Sequence, residues 1–269
     1  MLRVDSLLRL DFVPPVREMD KASLMFTPED IEQTFMIEGQ ILSHSGPLLF
    51  FRSKELAPEN VVGNGSFGLV DTGKKKLLVT CHHVVTEFLK LREEGKAEQM
   101  AVLLGCNHPV PIESGVVDSD STLDLATLDM EPLLTHFARR IFFPLHKFPV
   151  PTLNQNELIA FCGYVKEGRI IQPEVASFRY ESFGLSVADV SRFHITADLV
   201  RTRRRMSFAG TAAPRRESLG GISGSPCFSP TRSRGLRLVS FVTSDALGLV
   251  RMTHAGCIKQ DGTLDRREN

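Results

Sequence analysis

Ser223 lies in the run Gly221-Ile222-Ser223-Gly224-Ser225-Pro226, where a glycine two residues before the serine and another directly after it let the chain bend tightly. Such a bend exposes a hydroxyl and aims the backbone N–H groups of Gly221 and Ser223 at a bound carbonyl oxygen, an arrangement that stabilises an oxyanion. A serine is a weak nucleophile at neutral pH, so this chemistry needs a base and a group that orients the base. Upstream, Thr80-Cys81-His82-His83-Val84-Val85 follows the apolar stretch Leu77-Leu78-Val79 and offers two adjacent histidines. Asp124-Leu125-Ala126-Thr127-Leu128 opens a short alternating segment with a carboxylate. Serine, histidine and aspartate are the parts of a nucleophilic acyl-transfer site.

Each motif alone has a plain structural reading. Gly and Ser cluster in ordinary turns. The histidines suit the end of a partly buried strand, and Asp124 suits an N-cap or a solvated loop near Asp118, Asp120 and Asp129. Their joint occurrence in the order His, Asp, Ser, each joined to an apolar strand, favours the catalytic reading. The nucleophile elbow of α/β-hydrolases does not fit. It needs glycine where Ser225 stands, and a helix after the nucleophile, which Pro226 opposes.

The His, Asp, Ser order is that of the chymotrypsin type. With Gly63-Asn64-Gly65-Ser66-Phe67-Gly68-Leu69-Val70, which resembles the family's strand just before the histidine, residues 46 to 260 resemble a bacterial-style trypsin-like serine peptidase. The resemblance implies a serine endopeptidase with a polypeptide substrate, no cofactor and no metal. It aligns His83, rather than His82, with the base, Asp124 with its orienting partner and Ser223 with the nucleophile, and it gives the oxyanion donors to Gly221 and Ser223. The floor of the main specificity pocket falls on Glu217, where a buried carboxylate would favour Arg or Lys. The Arg215-Arg216-Glu217 cluster reads equally well as a solvated loop. Ser240 and Phe241, on the apolar run Leu236 to Val242, are candidates for a wall along which an extended peptide adds as a strand. Ile222 stands where digestive relatives carry the aspartate that pairs with a newly cut N-terminus, so no such activating cleavage is expected. The alternative is a non-catalytic, peptidase-like module that binds extended peptides. An esterase using the same site is a third reading.

The elements that must position these groups read as an all-β chain: two packed antiparallel β-barrels of chymotrypsin type, with a short helical N-terminal extension. The expected divisions are an extension over 1–45, a first barrel over 46–150 carrying His and Asp, a second over 151–262 carrying Ser, and a frayed polar tail over 263–269. A Pro- and Asn-bearing linker is expected between Phe148 and Asn156. In the extension, Thr27-Pro28-Glu29-Asp30 starts a helix that Gly39 is placed to end. A second helix follows His83, with Val84, Val85, Phe88 and Leu89 inward and Gly95 near its end. With 18 Phe and no Trp, phenylalanine supplies the aromatic core volume.

Charge narrows the partners. Lys and Arg number 32 and Asp and Glu 32, so there is no global field and no strong nucleic-acid signal. The run Arg201-Thr202-Arg203-Arg204-Arg205 is a local exception that reads as a docking patch, a self-cleavage site or an exposed loop. The five cysteines are scattered and odd in number, without a Cys-x-x-Cys pair, which points to reduced thiols and no zinc site. No apolar run reaches the roughly 18 residues of a membrane span. Charges break the N-terminal segment, so it does not read as a secretion signal, and a cytoplasmic protein is expected. The extension is one place where a regulatory partner, whose identity the sequence does not give, would act.

Overall fold

The computed structural model describes residues 28–103, 109–112, 115–137, 142–147, 150, 152–171, 176–198, 220–231, 235–246 and 248–266. The described part of the chain opens with helix α1 (Pro28–Ser43). Gly39 does not end this helix but sits inside it. The turns beyond it are held by burial of Ile41, with Ile37 and Leu42 packed alongside, which outweighs the roughly 1 kcal/mol that an interior glycine costs.

Strands β1 (Ser45–Phe51), β2 (Val61–Asp71), β3 (Lys76–Thr80), β4 (Gln99–Val102), β5 (Val110–Pro111), β6 (Val116–Asp120) and β7 (Leu125–Asp129) form one sheet in the order β5-β4-β1-β2-β3-β7-β6. A short strand, β8 (Phe143–Pro144), pairs parallel to β2. The sheet is a half-barrel rather than the closed barrel expected. Its β5 edge ends on Pro111, which has no N–H to offer a further strand. Between β3 and β7 in sequence runs helix α2 (His82–Glu93). It buries Val84, Val85 and Phe88 on the sheet, with the Phe88 ring 5.5 Å from that of Phe50. Leu89, expected inward, lies on the helix flank and is 38% exposed. Gly95 follows the C-cap residue Glu94 with φ +67°, the left-handed conformation that glycine adopts freely.

The second half is a closed antiparallel barrel. It contains β9 (Leu158–Ile171), β10 (Ala176–Val190), β11 (His194–Asp198), β12 (Pro226–Pro230), β13 (Leu236–Ala246) and β14 (Leu249–His254), in the order β10-β11-β14-β13-β12-β9. Ile159, Phe161, Val239, Val242 and Met252 fill its interior. A further apolar cluster joins the halves, uniting Val70, Leu77 and Val79 of the sheet with Cys162, Phe228 and Phe241 of the barrel and Ile41 of α1. Each fully buried side chain of this size contributes about 1.5–3 kcal/mol, so this cluster holds the two halves together. The architecture is mostly β and consistent with the chymotrypsin fold. Among the described residues no helix is long and apolar enough to cross a membrane.

The end of the described chain is held rather than frayed. Ile258 and Leu264 form a β-bridge, Leu264 is buried, and the Asp265 N–H donates to Cys257 O at 2.7 Å. Arg266 pairs with Asp118 and Asp120, so the segment after the second barrel returns to brace β6 of the first sheet.

Candidate active site

Cys81 stands in extended conformation ahead of α2 and offers no side-chain cap, so the first N–H groups of the helix need acceptors from elsewhere. Asp124 supplies one. Its Oδ1 accepts the His83 backbone N–H at 3.0 Å, while Oδ2 lies 2.7 Å from His83 Nδ1. A carboxylate at a helix N-terminus is also favoured by the helix dipole. Asp124 reaches this position from the last residue of the 121–124 turn, with φ +51°, a conformation costly for a non-glycine residue and most often kept at functional sites. The turn is fixed by Asp120, whose Oδ1 accepts the N–H groups of Thr122 and Leu123 at 2.8 Å each. Thr253 ties it to the second barrel, donating its hydroxyl to Leu123 O at 2.5 Å.

The adjacent histidines are thereby told apart. His82 has both ring nitrogens engaged, Nδ1 with Ser119 Oγ at 2.7 Å and Nε2 with Thr86 Oγ1 at 3.2 Å. His83 is bonded through Nδ1 alone, and its Nε2 has no hydrogen-bond partner among the described residues. The hydrogen bond to Asp124 raises the His83 pKa above its ordinary value; partial burial opposes this and the Asp124 charge adds to it. His83 and Asp124 line a cavity of about 340 Å³ together with Thr243, Ser244, His194 and Arg251.

The loop bearing Ser223 is gripped by the first sheet. Ser66 on β2 donates its N–H to Ser223 O at 3.0 Å and its hydroxyl to Gly221 O at 2.8 Å, and the same hydroxyl accepts the Tyr164 N–H at 3.1 Å. Gly221 and Gly224 have φ of +94° and +93°. A Cβ on Gly224 would overlap Ser66 O and Thr80 Oγ1, and one on Gly221 would overlap Tyr164 O. Ile222 is buried in the barrel core, so apolar packing anchors the loop. Among the described residues, the N–H groups of Gly221 and Ser223 donate to no acceptor. The Ser223 hydroxyl points to Thr243 O at 3.4 Å and makes no hydrogen bond to His83.

Ser240 and Phe241, expected at a substrate wall, are fully buried, with their backbone paired to β12 on one side and β14 on the other. Strand β13 is covered on both sides from Leu238 to Thr243, by the barrel interior and by the sheet, and first reaches solvent at Ser244. Glu217, Arg215, Arg216, the 201–205 arginine run, Cys106, the Thr27 cap and linker residues 148, 149 and 151 lie outside the described residues. Ser66, Thr243, His194 and Arg251 were not singled out from sequence. Of these only Ser66 carried a signal, its place among the glycines of β2 that permit close backbone approach.

The Cys81 thiol, His83 and Asp124 offer ligand atoms within 4.8 Å of one another. Burial, reinforced by the Asp124 charge, pushes the Cys81 thiol well above its ordinary pKa, and its Sγ donates to Val242 O at 3.1 Å. With Asp124 already bonded to His83, the donor set suits proton transfer better than metal ligation.

No protein-family model and no curated protein sequence matches the chain. Among solved structures, it superposes on a human pathogenic astrovirus serine protease at 12% identity and a TM-score of 0.43, over 79% of this chain and 90% of that one. It also superposes on a chain from a structure concerned with coupled folding and binding of the intrinsically disordered Sesbania mosaic virus VPg protein. That match has 15% identity and a TM-score of 0.44, over 79% of this chain and 87% of the other. The likeness is one of backbone course, and the reading of the site rests on its own geometry.

Proposed function

We propose that the chain is a serine endopeptidase that cleaves a polypeptide through an acyl-enzyme. The observation that carries this is the two-point hold of Asp124 on His83, which fixes the imidazole with Nδ1 engaged and Nε2 unbonded. In the first step Ser223 Oγ attacks the substrate carbonyl carbon and its proton passes to His83 Nε2. Asp124 steadies the imidazolium so formed. The oxyanion takes the N–H groups of Gly221 and Ser223, each worth about 10²–10³ in rate. Collapse of the tetrahedral centre breaks the C–N bond, and the proton moves from His83 to the leaving amine. Water then repeats the sequence on the ester, giving its proton to His83 and releasing the acid and the free serine.

This reading requires Ser223 Oγ to exchange Thr243 O for His83 Nε2 when substrate binds, a tightening common between free and occupied sites. The Ser223 to Thr243 bond is also what favours the second reading, a peptidase-like module that binds extended peptides without cutting them.

Intact-mass labelling with a fluorophosphonate separates the two readings. Endopeptidase chemistry predicts one adduct on the wild type and on His82→Ala, and none on Ser223→Ala or His83→Ala. A folded wild type without an adduct would leave the binding module as the function.

A further inference from the structure

The cavity beside His83 has a strongly one-sided lining. Its one carboxylate among the described residues, Asp124, is already committed to His83. Facing it are Arg251 on β14 and His194 on β11. The two lie on the outer face of the barrel. Arg251 is opposite Thr196 in the β11 to β14 ladder and opposite Ser244 in the β13 to β14 ladder, and His194 is two residues from Thr196 on the same side. Strand alternation confirms this face, since Ile195, Ala197, Val250 and Met252 point into the core.

Arg251 is exposed, and among the described residues its guanidinium makes no ion pair or hydrogen bond. An arginine left without a carboxylate partner in a concave site is ready to bind one, donating two parallel charge-assisted hydrogen bonds to its oxygens. His194 is half-buried, with Nδ1 3.3 Å from Thr253 Oγ1. Burial, and then the Arg251 charge, lower its pKa, so at neutral pH it brings a neutral ring to the site, and an anion bound between the two would draw a proton onto it.

The geometry points to a side-chain subsite beside His83, built by Arg251 and His194, that takes an aspartate or glutamate of an extended polypeptide. That the peptide is also a substrate rests on the endopeptidase reading, whereas its capture as an acidic peptide rests on this cavity alone. The volume of about 340 Å³ accommodates one side chain and part of its backbone. Beyond Phe241, the last residue of β13 in the β12 ladder, Ser244 is paired to β14 alone, so Thr243 and Ser244 give the peptide a strand edge beside the subsite.

The test uses the full chain carrying Ser223→Ala, so that binding is read without turnover. Fluorescein-labelled decapeptide pools, with each position in turn fixed as Glu, Gln or Lys, are titrated by fluorescence anisotropy. One position is expected at which Glu binds about tenfold more tightly than Gln, and raised salt should weaken that preference. Arg251→Gln removes it, Arg251→Glu turns it toward Lys, and His194→Gln reduces it in part. Thermal unfolding establishes that each variant is folded, and Arg251→Gln decides the matter if Arg251→Glu is not. No binding, equal binding of Glu and Gln at every position, or a Glu preference that survives loss of Arg251 overturns the subsite. Fluorophosphonate labelling of the wild type runs beside it. An adduct without a Glu preference removes the subsite and keeps the endopeptidase; a Glu preference without an adduct does the reverse.

Discussion

Ser66 donates its backbone N–H to the carbonyl oxygen of Ser223 at 3.0 Å, so the serine proposed as nucleophile, on one half of the molecule, is held by a strand of the other. The Ser66 hydroxyl extends the grip to Gly221 O and the Tyr164 N–H. Ser66→Ala keeps the backbone bond but orphans the buried Tyr164 N–H, at about 1–3 kcal/mol, and leaves the part-buried Gly221 O without its partner at a smaller cost. The expected result is a lower unfolding midpoint and fluorophosphonate labelling slowed by about tenfold or more, because the loop loses its register against His83. Unchanged labelling in a destabilised Ser66→Ala protein would show that the clamp serves stability alone.

Gly224 sits where the loop passes Ser66 O and Thr80 Oγ1 with φ +93°. Gly224→Ala combines a disfavoured backbone conformation with overlap against main chain that cannot move aside, and should cost more than about 3 kcal/mol. Urea denaturation would read this as a lowered midpoint with an unchanged slope.

Gly39 makes the opposite case. It lies inside α1, is exposed, and a Cβ there would meet nothing within 4 Å. Gly39→Ala is expected to stabilise the protein by about 0.5–1 kcal/mol, seen as a raised thermal midpoint.

These two glycines show what the sequence makes legible. Gly221 and Gly224 flank a serine and announce a bend, and the apolar runs before His83 and after Asp124 announce strands. Gly39 reads as a helix stop because the burial that carries α1 past it is tertiary: Ile41 meets residues from both halves of the molecule. The same limit hides the burial of Ser240 and Phe241. A run of six buried residues, Leu238 to Thr243, shows no alternation, and the register shifts near Cys227 and Val242 change which side chains share a face without any local mark. The choice of His83 over His82 followed the motif. Its physical basis, that Ser119 and Thr86 occupy both nitrogens of His82, depends on β6 and the first turn of α2 coming together.

Leu264 and Arg266 both brace β6, through different physics. Leu264 is buried, so Leu264→Ala should cost about 2–4 kcal/mol. Arg266 is 51% exposed at its pairs with Asp118 and Asp120, so Arg266→Ala should cost no more than about 1 kcal/mol, less at high salt. Chemical denaturation of the two variants at low and high salt separates these contributions.

The His83 to Asp124 pair makes opposite predictions for activity and stability as pH changes. The hydrogen bond raises the folded-state pKa of His83, and catalysis needs the neutral ring. The acid limb of kcat/KM against pH should therefore have its midpoint above the ordinary histidine value of about 6.5, with activity lost as pH falls through it. Folding favours the protonated ring. The stability that the pair adds is fully present below about pH 6.5 and is lost as pH rises through the raised pKa. Asp124→Asn removes the carboxylate charge and the acceptor at Oδ2, so it should move the acid limb down toward the ordinary value while lowering the plateau by orders of magnitude. It should also flatten this part of the stability profile. His82→Ala should leave the midpoint where it is. A midpoint that follows His82 rather than Asp124 would reassign the base.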